Sequence, residues 1–310
     1  MSRRNKSQVM SKEEKSSSEN TVIFHLEGGL GKNVAATAVL RAIRRKHPND
    51  KIVAVVSYPE VFLMNPNVDR VYRVGNAPYF WADYVKDKNP IIYKHEPYFT
   101  STHITKQKHV IESWCDLYGL EHDGKGPDLP MNIIQNSIAN KYVRKKPVLL
   151  IHTNGGPMQN QPFDYSWARD IPRPYSEAIV NAAKDQFHIM QVCRADSQVI
   201  NGVDEVFNKP LSNMELFSLL KVSTKRVLID SSLQHAAAAL NLESTVLWIA
   251  TSPVQFGYQM HTNIVANPPK REPILPDSYL FDYQFHGVMH ECPYTDINEM
   301  FDINTILTNI

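Results

Sequence analysis

The sequence predicts an α/β protein made of two successive doubly wound units. Three observations predict it. Short, near-continuous apolar runs rich in Val and Ile alternate with helical patterns, as expected of parallel strands covered on both faces. The alternation begins near Thr21, gives way near Asn76 to a different composition, and restarts near Pro147. The length of 310 residues also fits two domains of roughly 150 each.

TVIFHL (21–26) is a β-branched apolar run that ends at Glu27-Gly28-Gly29. Next, KNVAATAVLRAIRRKH sets Val34, Ala38, Ala42 and Val39, Ile43 at helical spacing, with Arg41, Arg44 and Arg45 on the other side. KIVAVVS (51–57) reads as a second buried strand. VFLMNPNVDRVYRV reads as a short helix, a Pro-Asn turn at 66–67 and a third strand. From Asn76 to Lys146 the chain is rich in Tyr, His, Pro and Trp, and one helix, THITKQKHVIESWCDLYGL, is predicted to close at Gly119. KGPDLP and RKKP read as connecting segments.

The second unit opens with PVLLIHTNGG, a strand that runs into a Gly-rich turn. YSEAIVNAAKD, NMELFSLLKVS and LQHAAAALN read as helices. FHIMQVCR, VDEVFN, KRVLID, STVLWIAT and NIVANP read as strands. Beyond Pro268 the chain is Pro- and aromatic-rich and ends in a candidate helix, DINEMFDINTILTNI. The predicted organisation is a tail at 1–20, one unit at 21–146 and a second at 147–310 with a C-terminal extension.

Composition narrows the function classes. Lys plus Arg number 33 and Asp plus Glu 32, a net charge of +1, which excludes blanket electrostatic attraction to nucleic acid or membrane. Hydrophobic residues at 43% and charged residues at 21% exclude disorder over the whole length. Three scattered cysteines, Cys115, Cys193 and Cys292, give no disulfide framework and suit a reducing compartment. The first twenty residues are charged and Ser-rich, without the apolar core of a signal peptide, and no run approaches the ~20 apolar residues of a membrane span. A cytoplasmic location is the expectation.

In doubly wound sheets, ligands bind outside the carboxyl ends of the strands. That rule points to Glu27–Asn33, His152–Gly156, Arg194–Asp196, Asp230–His235 and Thr251–Tyr258. HLEGGLGKN (25–33) places Gly28, Gly29 and Gly31 between a strand and a helix, where backbone N–H groups can approach a ligand closely. Its spacing matches neither G-x-G-x-x-G nor G-x-x-x-x-G-K-[ST], so no dinucleotide or P-loop cofactor is expected. DSSLQHAAAALN (230–241) offers Asp230 at a strand end, Ser231 or Ser232 as helix cap, and His235 one turn inside. Singly, these segments also read as a plain turn and an ordinary capped helix. TSPVQFGY (251–258) is a turn-rich loop.

Taken in order, these motifs resemble glycosyltransferase family 9, the heptosyltransferase-like enzymes of the two-Rossmann GT-B fold. GGLGKNVAATAVLRAIRRKHPNDKIVAVVSYPEVFLMNPNVDRVYRV looks like the family's opening, and LIDSSLQHAAAALNLESTVLWIATSPVQFGY like its donor-binding run. Asp230, Leu233, His235, Thr251, Pro253 and Gly257 match that run, while Ser231, Ser232 and Ser252 stand where Thr, Gly and Asp are common. The resemblance implies two Rossmann-like domains facing across a cleft. It implies inverting transfer of a sugar from a nucleotide diphosphate sugar bound by the C-terminal unit to a saccharide acceptor on the N-terminal one, with no metal and no cofactor.

Donor contacts are expected from His152, Asn154, Arg194, Asp230, Ser231, Ser232, Leu233, Gln234, His235, Thr251 and Gly257. The acceptor-side turn comprises Gly28, Gly29, Gly31 and Asn33. Where the family carries an Asp that serves as candidate base, this chain has Lys32, and a protonated lysine is no base at neutral pH. Glu27 is the replacement candidate, with Asp164 second and His25 third; Lys32 is read as meeting a phosphate or an acidic sugar. Ser166 precedes Trp167 where the family has Lys, which leaves the donor open to sugars other than heptose.

Weaker constellations remain. His286, His290 and Cys292 stand close together, but no second Cys/His pair completes a zinc set. Tyr79, Phe80, Trp81, Tyr84, Tyr93, Tyr98 and Phe99 interleave with Lys86, Lys88, Lys94, Lys106 and Lys108, compatible with a glycan or a nucleic-acid acceptor. Surface glycan or lipopolysaccharide-type synthesis is the leading expectation. The rivals are a glycosyltransferase acting on hydroxymethylated DNA bases, a non-catalytic nucleotide-sugar-binding protein and a two-Rossmann epimerase.

Overall fold

A computed structural model describes residues 20–155, 167–195, 197, 199–270 and 292–310. The first part of the chain runs β1 (Thr21–Leu26), α1 (Leu30–Lys46), β2 (Lys51–Val56), β3 (Arg70–Arg73), α2 (Phe80–Tyr84), β4 (Ile91–Tyr93), α3 (Ser101–Ile104), α4 (Val110–Leu117) and α5 (Ile133–Ile138). The second part runs β5 (Val148–His152), α6 (Arg173–Ala183), β6 (His188–Val192), β7 (Glu205–Phe207), α7 (Asn213–Val222), β8 (Lys225–Ile229), α8 (Ser232–Ala239), β9 (Thr245–Trp248), α9 (Pro253–Phe256), β10 (Thr262–Val265) and α10 (Ile303–Thr308).

The strands form two parallel sheets, ordered β3-β2-β1-β4 and β10-β9-β8-β5-β6-β7. The second has the full strand order of a Rossmann sheet, and the first has the order of its opening four strands. The order reverses between β5 and β8 in one sheet and between β1 and β4 in the other. Ligands settle at such switch points because the flanking loops diverge there.

Alternation along β1 sends Val22, Phe24 and Leu26 to one face and Ile23 to the other. The first face packs on α1, which is buried on nearly all sides from Leu30 to Ile43. Its small residues allow that: Ala35, Ala36 and Ala38 of α1 share one core with Ala236, Ala237 and Ala238 of α8, and the two helices pack together. One hydrophobic core therefore runs from β1 and β2 through α1 and α8 to β5, β8 and β9. Tyr175, Ile179, Phe301 and Ile306 of α6 and the C-terminal segment cover the far face of the second sheet. Tyr72, Phe80 and Tyr84 cover Ile23 and Val53 on the far face of the first.

The structure corrects several element expectations. The helix read through THITKQKHVIESWCDLYGL is two, α3 and α4. Lys106 takes a left-handed φ of 55°, and the His109 side chain caps α4 by accepting from the Ile111 N–H. Gly119, with φ 60°, does follow the end of α4. The short helix read after β2 is a 3-10 turn, Pro59–Val61. DINEMFDINTILTNI breaks into a 3-10 turn, Ile297–Glu299, and α10, each begun by an Asp cap. The three-residue β4, which the sequence reading missed, completes the first sheet's switch point.

Candidate active site

Loops from both sheets converge on a pocket of about 820 Å³. Gly29, Leu30, Gly31 and Lys32 line it from the start of α1, and Glu96, Tyr98 and Phe99 from the segment after β4. His152 and Asn154 follow β5, Cys193 and Arg194 follow β6, Lys209 follows β7, and Asp230, Ser231, Ser232, Leu233 and His235 come from the junction of β8 and α8. Val192, Phe207, Leu211 and Leu216 give one part of the wall an apolar character.

The start of α8 opens on the pocket. Ser231 is its N-cap, and its Oγ accepts from the Leu233 N–H at 3.3 Å. The same Oγ lies 3.0 Å from His152 Nδ1. Burial, with the Arg194 charge adding to it, lowers the His152 pKa to about 4, against an opposing backbone hydrogen bond at Asn154. The ring is therefore neutral near pH 7, and its tautomer sets which of the two groups donates. Free N–H groups and the positive end of the helix dipole then face the pocket. Arg169 adds a cation, with its Nε 3.8 Å from Asp230 Oδ2.

A second device fixes the loop after β5. Asp170 Oδ2 accepts from Asn154 Nδ2 and Asp170 Oδ1 from the Gly155 N–H, both at 3.0 Å. Arg194 Nη2 lies 2.9 Å from Asp170 Oδ2, and Arg194 Nη1 donates to the Gly155 carbonyl at 2.7 Å. Burial still raises the Asp170 pKa, outweighing these bonds. The pair thus orients Arg194 and Asn154 at the pocket wall more than it stabilises the fold.

On the opposite wall Lys32 Nζ lies 2.8 Å from Glu96 Oε2 and 5.1 Å from the centre of the Tyr98 ring. Burial pushes the Tyr98 phenol well above its usual range, and the charges of Glu96 and Asp230 add to that while Arg169 opposes it. Deeper in, His235 Nδ1 is 2.7 Å from the Tyr258 hydroxyl. Burial lowers the His235 pKa to about 3 and pushes Tyr258 upward.

Of the residues singled out from the sequence, Gly29, Gly31, Lys32, His152, Asn154, Arg194, Asp230, Ser231, Ser232, Leu233 and His235 line this pocket. The others lie elsewhere. Glu27 is more than half exposed and sits 3.2 Å from His25 Nε2, outside the lining. Gly28, with φ 108°, shapes the turn and donates to Ser57 Oγ. Asn33 is buried and holds the same turn, its Nδ2 donating to the Gly29 carbonyl at 2.9 Å. Gln234 points away and ties α8 to the Phe256 carbonyl. Thr251 is buried behind the wall, and Gly257 closes α9 on the Pro253 carbonyl. Asp164 lies outside the described residues.

Tyr98 and Phe99, read from the sequence only as part of an aromatic cluster, also line the pocket, whereas Glu96, Arg169, Asp170 and Lys209 were missed. The adjacent Arg169 and Asp170 in the loop after β5, and Glu96 before Pro97, were the signals available. Among the described residues, no group of three or more His, Cys, Asp or Glu could hold a metal ion. His286 and His290 lie outside the described residues. No described helix is long and apolar enough to cross a membrane.

The fold is that of the family 9 glycosyltransferases. A family 9 glycosyltransferase from Veillonella parvula superposes with a TM-score of 0.58 at 12% identity, covering 79% of this chain and 85% of that one. ADP-heptose LPS heptosyltransferase II from E. coli gives a TM-score of 0.60 at 12% identity, covering 80% and 91%. The iron-containing dodecameric heptosyltransferase TibC, in complex with ADP-D-β-D-heptose, gives 0.56 at 14% identity, covering 81% of this chain and 63% of that one. No protein-family model matches the sequence, and no curated protein matches it.

Proposed function

We propose that the chain is an inverting glycosyltransferase that takes a sugar from a nucleotide diphosphate sugar and delivers it to a saccharide hydroxyl in surface-glycan or lipopolysaccharide-type synthesis. One observation carries the reading. The capped start of α8, Arg169 and Arg194 share a single pocket with the Gly-rich start of α1 and a carboxylate from the segment after β4. Residues 147–310 would bind the donor and 21–146 the acceptor, with the pocket at the cleft between them.

In this reading the diphosphate sits at the first turn of α8, where N–H groups, the helix dipole and Arg169 favour negative charge. That charge grows as the glycosidic bond breaks, so the same groups stabilise the departing nucleotide diphosphate. The pocket cations Arg169, Arg194 and Lys209 supply this positive charge from side chains, so no step is routed through a metal. The ligand printed for TibC, an ADP-heptose, names the first donor to try.

The test is incubation of the purified protein with a panel of ADP-, GDP-, UDP- and dTDP-sugars together with a mixture of lipopolysaccharide-core oligosaccharides as acceptor. Release of nucleotide diphosphate from at least one is expected. Tight binding without release would favour a non-catalytic nucleotide-sugar-binding protein. Neither binding nor release would overturn the proposal.

A further inference from the structure

Among the described residues that line the pocket, two carry carboxylates, Glu96 and Asp230. They differ in what surrounds them. Asp230 is nearly buried at the end of β8, beside Arg169 and directly before the α8 cap, on the wall where the diphosphate would lie. Glu96 is about one-third exposed on the opposite wall, beside the Gly-rich turn. One of its oxygens, Oε2, is held by Lys32 Nζ at 2.8 Å. Among the described residues its other oxygen takes no hydrogen bond.

From this geometry we infer that Glu96 is the general base of the transfer and that Lys32 is its positioning residue. The inference rests on the glycosyltransferase reading above and deepens it. The Gly-rich turn itself brings no carboxylate to the pocket lining: its contribution is Gly29, Leu30, Gly31 and Lys32. The segment after β4 supplies a carboxylate at the same wall, and Lys32 holds it. Tyr98 beneath the ammonium fixes Lys32 from a second side. The arrangement spans the switch point between β1 and β4, where the first sheet would present an acceptor.

The step balances without a further reactant. The acceptor hydroxyl proton passes to the Glu96 carboxylate as its oxygen bonds to the anomeric carbon. The bond from that carbon to the phosphate oxygen breaks, and its electron pair leaves with the nucleotide diphosphate. The charge moves from Glu96 to the α8 wall, where Ser231 and Arg169 stand.

Lys32 of α1 contacts Glu96, and the Glu96 charge acts on the Tyr98 and Tyr118 phenols of the neighbouring segments. Among the described residues Lys32 is its ion-pair partner, at 2.8 Å.

The test uses the full chain and the donor that gives nucleotide diphosphate in the panel. Glu96→Gln should bind the nucleotide diphosphate within about twofold of the wild type. It should slow release of nucleotide diphosphate in the transfer reaction by about 10²- to 10⁴-fold, the usual worth of a general base. Glu96→Asp should recover part of the rate. Lys32→Met should lower kcat by about tenfold with the donor KM nearly unchanged, and Lys32→Arg should recover most of the rate. A Glu96→Gln rate within threefold of the wild type, with donor binding intact, would overturn the base assignment alone. A Lys32→Met kcat within about twofold of the wild type would overturn the role of Lys32. A wild-type protein that binds no nucleotide diphosphate and releases none would overturn the parent reading instead, and this one with it.

Discussion

Gly31 of α1 lies directly against the start of α8: a Cβ built on Gly31 would come 2.9 Å from the His235 Cδ2 atom and 3.2 Å from the Ser232 Cα. The two helices can begin side by side only because one of them has no side chain there. Gly31→Ala must displace a buried ring or a helix backbone, and overpacking of this kind costs about 1–3 kcal/mol. Gly29, with φ −66° and no atom within 4 Å of a built Cβ, is the internal control. Thermal unfolding should show a clearly lower Tm for Gly31→Ala and an almost unchanged one for Gly29→Ala. Equal effects would contradict the close approach.

The Arg194–Asp170 pair is nearly buried at both partners and also holds the backbone of Gly155. Arg194→Met would leave Asp170 as a buried, unpaired carboxylate, which costs about 3–5 kcal/mol. The Asp170→Asn, Arg194→Met double variant should cost less than the sum of the singles, because the charge itself is gone. Chemical denaturation of the three variants measures this. Additive losses would show that the pair acts as two independent residues.

Acid should destabilise the protein before most carboxylates titrate. Burial is the leading cause that lowers the pKa values of His109 and His235 to about 3 and of His152 to about 4, from an ordinary 6.5. The unfolded chain takes up protons below about pH 6.5 that the folded chain refuses, so stability falls as pH drops from there. The loss levels off only when the folded rings protonate, near pH 3–4. Each ring contributes on the order of 3 kcal/mol across that window. His109 lies outside the pocket lining, so His109→Gln should flatten the Tm–pH curve between pH 4 and 6.5. A slope unchanged by that substitution would contradict the buried neutral ring.

Nucleotide affinity should depend on Arg169 more than on Ser231. A hydrogen bond to a charged group is worth about 1.5–3 kcal/mol, so Arg169→Met should weaken nucleotide diphosphate binding by about 10- to 150-fold. Ser231→Ala removes a helix cap, worth about 0.5–2 kcal/mol, and releases the His152 ring, so it should lower stability as well as affinity. Calorimetry with both variants separates the effects. Unchanged affinity in Arg169→Met would remove the cation from the donor site.

The sequence was informative where local chemistry decides structure. Runs such as KIVAVV and PVLLIH can only be buried strands, and both parallel sheets follow from them. The junction of β8 and α8 was legible because Ser231 caps and the alanines pack. What escaped was set by tertiary contact. β4 is three residues long, too short for a periodic signal, and it is a strand because β1 pairs with it. Glu96 and Arg169 lie on loops with no motif, and only the fold brings them to the pocket. Glu27, chosen because it follows a strand, turns toward His25 instead. Strand-end position tells which loop meets a ligand but not which way a side chain points.

A crystal structure of the protein with ADP, or with whichever nucleotide diphosphate the donor panel selects, tests the central claim most directly. The account predicts phosphate oxygens within hydrogen-bond distance of the backbone N–H groups at the start of α8 and beside Arg169, with Glu96 facing the ligand from the α1 wall. A nucleotide bound away from residues 230–235, or no binding at millimolar concentration, would contradict it.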